Sequence, residues 1–111
     1  MTKAQEKAIA RIRKMAENTL FFGTNKDDYE FKEWEVSENE YFVNVVLEVG
    51  HKGDEGTMAA IFARDRAQLF VGKRGGITYP KTIRDKDGNY KDTRRVSLGN
   101  HSILKAVIDQ R

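Results

Sequence analysis

TMAAIFARDRAQLFVGKRGGITYPKTIR, residues 57–84, is the stretch whose reading decides the fold. Two apolar runs, Met58–Ala63 and Ala67–Val71, are separated only by Arg64, Asp65 and Arg66. They read as two strands, about 57–64 and 67–73. The second run opens directly into Gly72, Lys73, Arg74, Gly75 and Gly76. Three glycines around two cations make a turn that can take positive φ and keep its amides uncovered. With Lys73 and Arg74 beside them, such amides can hold a cluster of anionic oxygens. That chemistry is binding rather than catalysis.

Downstream, Thr78, Tyr79 and Ile83 predict a further short strand, which Pro80 pushes to an edge or a bulge because it has no amide donor. Asp87-Gly88 favours a tight hairpin turn, and Tyr90 to Leu98 is its return strand. Asn100 or Ser102 can cap a final helix whose apolar side is Ile103, Leu104, Val107 and Ile108.

Upstream, Gly50 to Gly56 is a polar loop. Before it, Tyr41, Val43, Val45, Leu47 and Val49 alternate on one face, while Phe42 and Val46 make the other face partly apolar. That pattern predicts a central strand covered on both sides. Tyr29, Phe31, Trp34 and Val36 lose phase midway, which predicts a bulge near Lys32-Glu33. At the start, Thr2-Lys3-Ala4-Gln5 has the form of a capping box. Ile9, Ile12, Ala16 and Leu20 then recur at helical spacing, predicting an amphipathic helix over roughly 3–18. Phe22-Gly23-Thr24-Asn25 ends it. The outline is a single α+β domain, 1–111: an N-terminal amphipathic helix, a mostly antiparallel sheet of five or six strands, and a short C-terminal helix.

The net charge of +3 conceals an asymmetry. Residues 27–40 carry seven anions and one cation, whereas residues 64–111 carry twelve cations and five anions. The basic half argues for an anionic partner, or for acidic and basic elements that face each other within the fold or across an interface. The absence of cysteine excludes disulfides and thiolate metal sites, and the longest apolar stretch is too short to span a membrane. No membrane partner and no cofactor are expected, and the composition is compatible with the cytoplasm. The aromatic area of Trp34, Phe42, Phe62, Phe70 and Tyr79 exceeds what two helices cover, so self-association as a homo-oligomer is expected.

Arg94 and Arg95 are adjacent in a strand and point to opposite faces, so only one can join the Lys73-Arg74 loop. With Lys81 and Arg84 they form a basic face that Tyr79 and Tyr90 furnish with stacking surfaces, a pattern suited to free nucleotides or single-stranded nucleic acid. Edge-strand cations that block association give the same pattern. The set His51, Asp54 and Glu55 matches no metal motif, and Asp85 to Asn89 lacks the spacing of a calcium loop. The acidic residues Asp27, Asp28, Glu30, Glu33, Glu35, Glu38 and Glu40 make either the polar side of a half-buried strand or a phosphate-backbone mimic that inhibits a DNA-binding partner protein. Without a nucleophile–histidine pairing or a metal set, the chain does not read as an enzyme.

The segments GDEGTMA (53–59), FARDR (62–66) and LFVGKRGG (69–76), on a small helix–sheet layout, resemble the phage Thoeris anti-defence sponges. That resemblance implies a non-enzymatic, oligomeric trap for a phosphorylated signalling nucleotide of the cyclic ADP-ribose type. It implies that Arg64, Lys73, Arg74 and Arg94 or Arg95 hold phosphates and that Phe70 or Tyr79 lies beside a base; the residues themselves add the amides of Gly75 and Gly76 to the grip. A small basic nucleic-acid-binding protein is the alternative the residues themselves support.

Overall fold

A computed structural model describes residues 1–18, 29–51 and 65–110. They form α1 (Lys3–Asn18), β1 (Tyr29–Glu38), β2 (Phe42–His51), β3 (Asp65–Gly72), β4 (Ile77–Arg84), β5 (Tyr90–Ser97) and α2 (Ile103–Asp109). The strands make one antiparallel sheet in the order β1-β2-β3-β4-β5, so the domain is α+β as the sequence predicts. The helix stop at Phe22–Asn25, Asp54 and Glu55, and the strand expected over 57–64 lie outside the described residues.

Two strands run further than their apolar patterns. Gly50 and His51, expected in a loop, belong to β2, where they pair with Glu30 and Tyr29. Asp65 and Arg66, expected to separate two strands, begin β3, where register sets Arg66 opposite Glu48. A cation and a carboxylate directly across a ladder favour continued pairing. The bulge in β1 falls between Glu33 and Glu35, one step beyond the expected position.

The capping box forms as read. The Gln5 amide donates to Thr2 Oγ1 at 3.1 Å and the Thr2 amide donates to Gln5 Oε1 at 2.8 Å. Both side chains also reach the sheet: Thr2 Oγ1 donates to the Lys73 carbonyl at 2.8 Å, and Gln5 Nε2 to the Val71 carbonyl at 3.2 Å. The residues that start α1 thus clasp it to the β3–β4 hairpin.

Strand alternation puts Val43, Val45 and Leu47 of β2, Ala67, Leu69 and Val71 of β3, and Ile77 and Tyr79 of β4 on one face. They bury against Ala8, Ile9, Ile12 and Ala16 of α1 and Ile103 and Ala106 of α2. Each fully buried aliphatic side chain contributes about 1.5–3 kcal/mol relative to exposure. Both helices therefore lie on the same face, and among the described residues no element covers the other. The two-sided cover expected for β2 is absent among them.

The sheet divides between β3 and β4, which pair only at Phe70–Thr78 and Val71–Ile77. The Ile77 carbonyl accepts from Leu98, on the β5 side, so the residues alternating with it, including Pro80, turn their backbone toward β3. Proline has no donor to give there, and the pairing ends. Gln110, just past α2, takes the vacated place on β3. The Gln68 amide donates to Gln110 Oε1 at 2.8 Å, and Gln110 Nε2 donates to the Gln68 carbonyl at 2.9 Å.

Gly75 has φ of +89°, and a Cβ there would sit 3.1 Å from the Ala4 carbonyl oxygen. Gly75→Ala is therefore expected to cost about 1–3 kcal/mol through backbone strain, with further loss as α1 shifts. Urea unfolding with an unchanged m-value measures this; a wild-type midpoint would refute the close docking of α1 on the turn.

Candidate functional site

The face of the sheet away from the helices, open among the described residues, carries a cation–aromatic stack. Register sets Phe42 opposite Gly72 and Asn44 opposite Phe70. Gly72 has no side chain, so the Phe42 ring leans toward Phe70, with centroids 5.0 Å apart and planes at 70°. That edge-to-face geometry suits the charge distribution of two rings. Arg95 reaches over from β5: its guanidinium carbon lies 4.4 Å from the Phe70 centroid and 5.1 Å from that of Phe42. Its Nε donates to Thr78 Oγ1 at 2.8 Å. Threonine and both rings thus fix the guanidinium, while its two Nη groups have no protein partner among the described residues. Arg95 is exposed.

A cavity of about 360 Å³ opens on this same face, lined by Glu35, Asn44, Val46, Arg66, Gln68 and Gln110. Val46 is buried there although it points away from the helices. Gln68 Nε2 donates to Asn44 Oδ1 at 2.9 Å.

Of the residues singled out in the sequence, Phe70 and Arg95 come together, and the others are placed differently. In the glycine turn two amides are engaged within the turn itself: the Gly72 amide donates to the Gly76 carbonyl at 2.9 Å and the Gly75 amide to the Gly72 carbonyl at 2.8 Å. The extra glycine beyond a hairpin's need serves the approach of α1. Lys73 and Arg74 are exposed, and Lys73 borders a cavity of about 460 Å³ shared with Glu38 and Glu40. Glu38 there pairs with the Met1 ammonium at 2.8 Å, and the further carboxylate of Glu40 opposes phosphate. Arg94 is exposed and pairs with Lys81 in the β4–β5 register, one residue out of phase with Arg95, so the two arginines face opposite ways as expected. Arg64 lies outside the described residues.

Tyr79, expected beside a base, is instead core, 1% exposed. Its register partner Val96 and the pairing of Ile77 with Val71 turn its ring toward the helices. Its hydroxyl donates to Asp109 Oδ2 at 2.5 Å, and Lys105 Nζ lies 3.3 Å from the same oxygen. Burial, then the hydrogen bond to Asp109 and its charge, push the Tyr79 hydroxyl up to about 12. Burial alone would raise the Asp109 carboxyl, but the bonds from Tyr79 and Lys105 and the charges of Lys105 and Lys81 hold it below its ordinary value.

A native value below the unfolded one means that Asp109 stabilises the fold above the ordinary carboxylate range, and that this is lost as pH falls through the native value. Asp109→Asn is expected to flatten the acid limb of a stability–pH curve below about pH 4. An unaltered acid limb would count against the Tyr79–Asp109–Lys105 group.

Phe42, Asn44, Gln68 and Thr78 join the site only through the register. Phe42 carried a signal, being, with Val46, an apolar residue out of phase with the β2 core positions. Among the described residues, no group of three or more histidines or carboxylates is placed to hold a metal ion. No described helix is long and apolar enough to cross a membrane. No family model, curated protein or solved structure matches the chain.

Proposed function

We propose that the protein is a non-enzymatic binder of a phosphate-bearing nucleotide, held on the open sheet face by Phe42, Phe70 and Arg95. The observation that supports this reading is the guanidinium lying over two paired rings with no partner for its Nη groups among the described residues. A planar cation fixed in this way offers a surface on which a base can stack and an edge that phosphate oxygens can meet bidentately. Stacking on aromatic side chains contributes about 1–3 kcal/mol per base.

The finer reading is capture of a signal of the cyclic ADP-ribose type by a cytoplasmic homo-oligomer that does not cleave it. It rests on the sequence resemblance rather than on the geometry. A second reading, binding of single-stranded nucleic acid, has its own support: β5 is exposed from Tyr90 to Arg95 and carries the further cations Lys91 and Arg94 along the strand that bears Arg95.

Calorimetric titration with cyclic ADP-ribose, ADP and a short oligothymidylate, at low and high salt, separates the two. Saturable binding of a small nucleotide with weak salt dependence is expected. Binding of the oligonucleotide alone, falling steeply as salt rises, would replace the first reading with the second. Failure of all three ligands would remove both and leave the acidic residues of β1, an edge strand, as the place to seek a protein partner. In the same titration Lys73→Ala with Arg74→Ala is expected to change affinity by less than about threefold, since exposed cations contribute little. A larger loss would return the turn to the site.

A further inference from the structure

Beyond the stack, we infer that Asn44 and Gln68 form a base-reading pair for the amino edge of adenine; this rests on the nucleotide reading above. The two carboxamides stand beside Phe70 on the open face. Asn44 is its cross-strand partner and Gln68 lies two residues along the same strand. A base stacked on the guanidinium over Phe70 therefore lies beside them, and the cavity of about 360 Å³ that they line gives its edge room.

Gln68 Nε2 donates to Asn44 Oδ1 at 2.9 Å, which uses one donor and one acceptor of the pair. The Asn44 amide nitrogen and Gln68 Oε1 are left facing the cavity's contents with no protein partner among the described residues. Reversing both carboxamides about their terminal bonds exchanges the roles and again leaves one donor beside one acceptor. In either orientation the unused nitrogen and the unused oxygen of the pair suit a ligand acceptor next to a ligand donor. Adenine meets it with N7 and its exocyclic N6 amine. The guanine O6–N7 edge offers two acceptors and sets an oxygen against the protein's oxygen.

The pair is also held in place. Gln110 grips the main chain of Gln68 on both its amide and its carbonyl, at 2.8 and 2.9 Å. The readers are thus preorganised, which lowers the ordering cost of binding.

Isothermal titration of the full chain with ADP and with purine riboside 5′-diphosphate tests this directly. The second ligand keeps the ring system and phosphates but lacks the amine, so no donor is left on its base edge. ADP is expected to bind at least about tenfold more tightly, because an unmatched polar group in a site is costly. Gln68→Met and Asn44→Leu, checked by thermal melting, are expected to abolish that preference by weakening ADP alone.

Equal binding of the two diphosphates by the wild-type protein, with both lost in Arg95→Ala, would overturn the base-reading pair and leave the nucleotide reading intact. If neither diphosphate binds, the nucleotide reading falls and the base-reading pair falls with it.

Discussion

Tyr79→Ala lowers the stability of the domain by about 3–5 kcal/mol, the range found for deleting a buried aromatic side chain. Its ring is 1% exposed and belongs to the cluster that joins β4 to both helices. The cavity cannot close easily, because Leu98 and Ile103, in the same cluster, are themselves almost fully buried. A domain of this size has about 5–15 kcal/mol in all, so the variant approaches the unfolding threshold at moderate temperature. Tyr79→Phe keeps the ring and removes only the donor to Asp109, for about 1 kcal/mol. Denaturant unfolding of the two variants separates ring from hydroxyl; equal effects would mean that the ring is not packed as described. Nucleotide affinity of Tyr79→Phe is expected to equal that of the wild type, because the hydroxyl points to α2 and not to the open face.

Phe70→Ala is expected to weaken nucleotide binding by about tenfold to a hundredfold, from the usual contribution of an aromatic stacking surface. It also removes the ring on which Arg95 rests at 4.4 Å, so the guanidinium loses its orientation as well. Arg95→Ala is expected to do at least as much, since it deletes charge and plane together. Arg95→Lys separates these: it keeps the cation but cannot stack flat or bind phosphate bidentately, so it should recover little of the lost affinity. Full recovery by lysine would reduce the site to a point charge. Thermal melts control for folding, because Phe70 is half-buried and its loss carries a stability cost of its own.

How far the sequence disclosed this arrangement depended on whether a residue's role was local. The Thr2–Gln5 box, the α1 face and the Asp87-Gly88 turn each depend on residues a few positions apart, and each formed as read. Tyr79 did not. Ile77 and Ile83 alternate in phase with Tyr79, but that pattern alone does not separate a core ring from one beside a ligand; the pairing of Ile77 with Val71, a contact between strands, puts Tyr79 on the face that the helices cover.

Gly75 is ambiguous in the sequence for a related reason. A glycine that admits a helix leaves the same local mark as one that exposes amides to an anion, and Ala4 lies far away in sequence. Phe42 was visible as a second apolar face on β2, but its meeting with Phe70 and Arg95 needs three strands in register. Gln110 standing in for a strand beside Gln68 has no sequence signature at all.

The most direct measurement is a two-dimensional amide and methyl NMR titration of the full chain with ADP. Shifts confined to Phe42, Asn44, Gln68, Phe70, Thr78 and Arg95, with Tyr79 and the turn at Lys73 and Arg74 unmoved, are the expected result. Shifts centred on that turn, or spread along β5 with none at Phe42 and Phe70, would contradict the open face as the binding site.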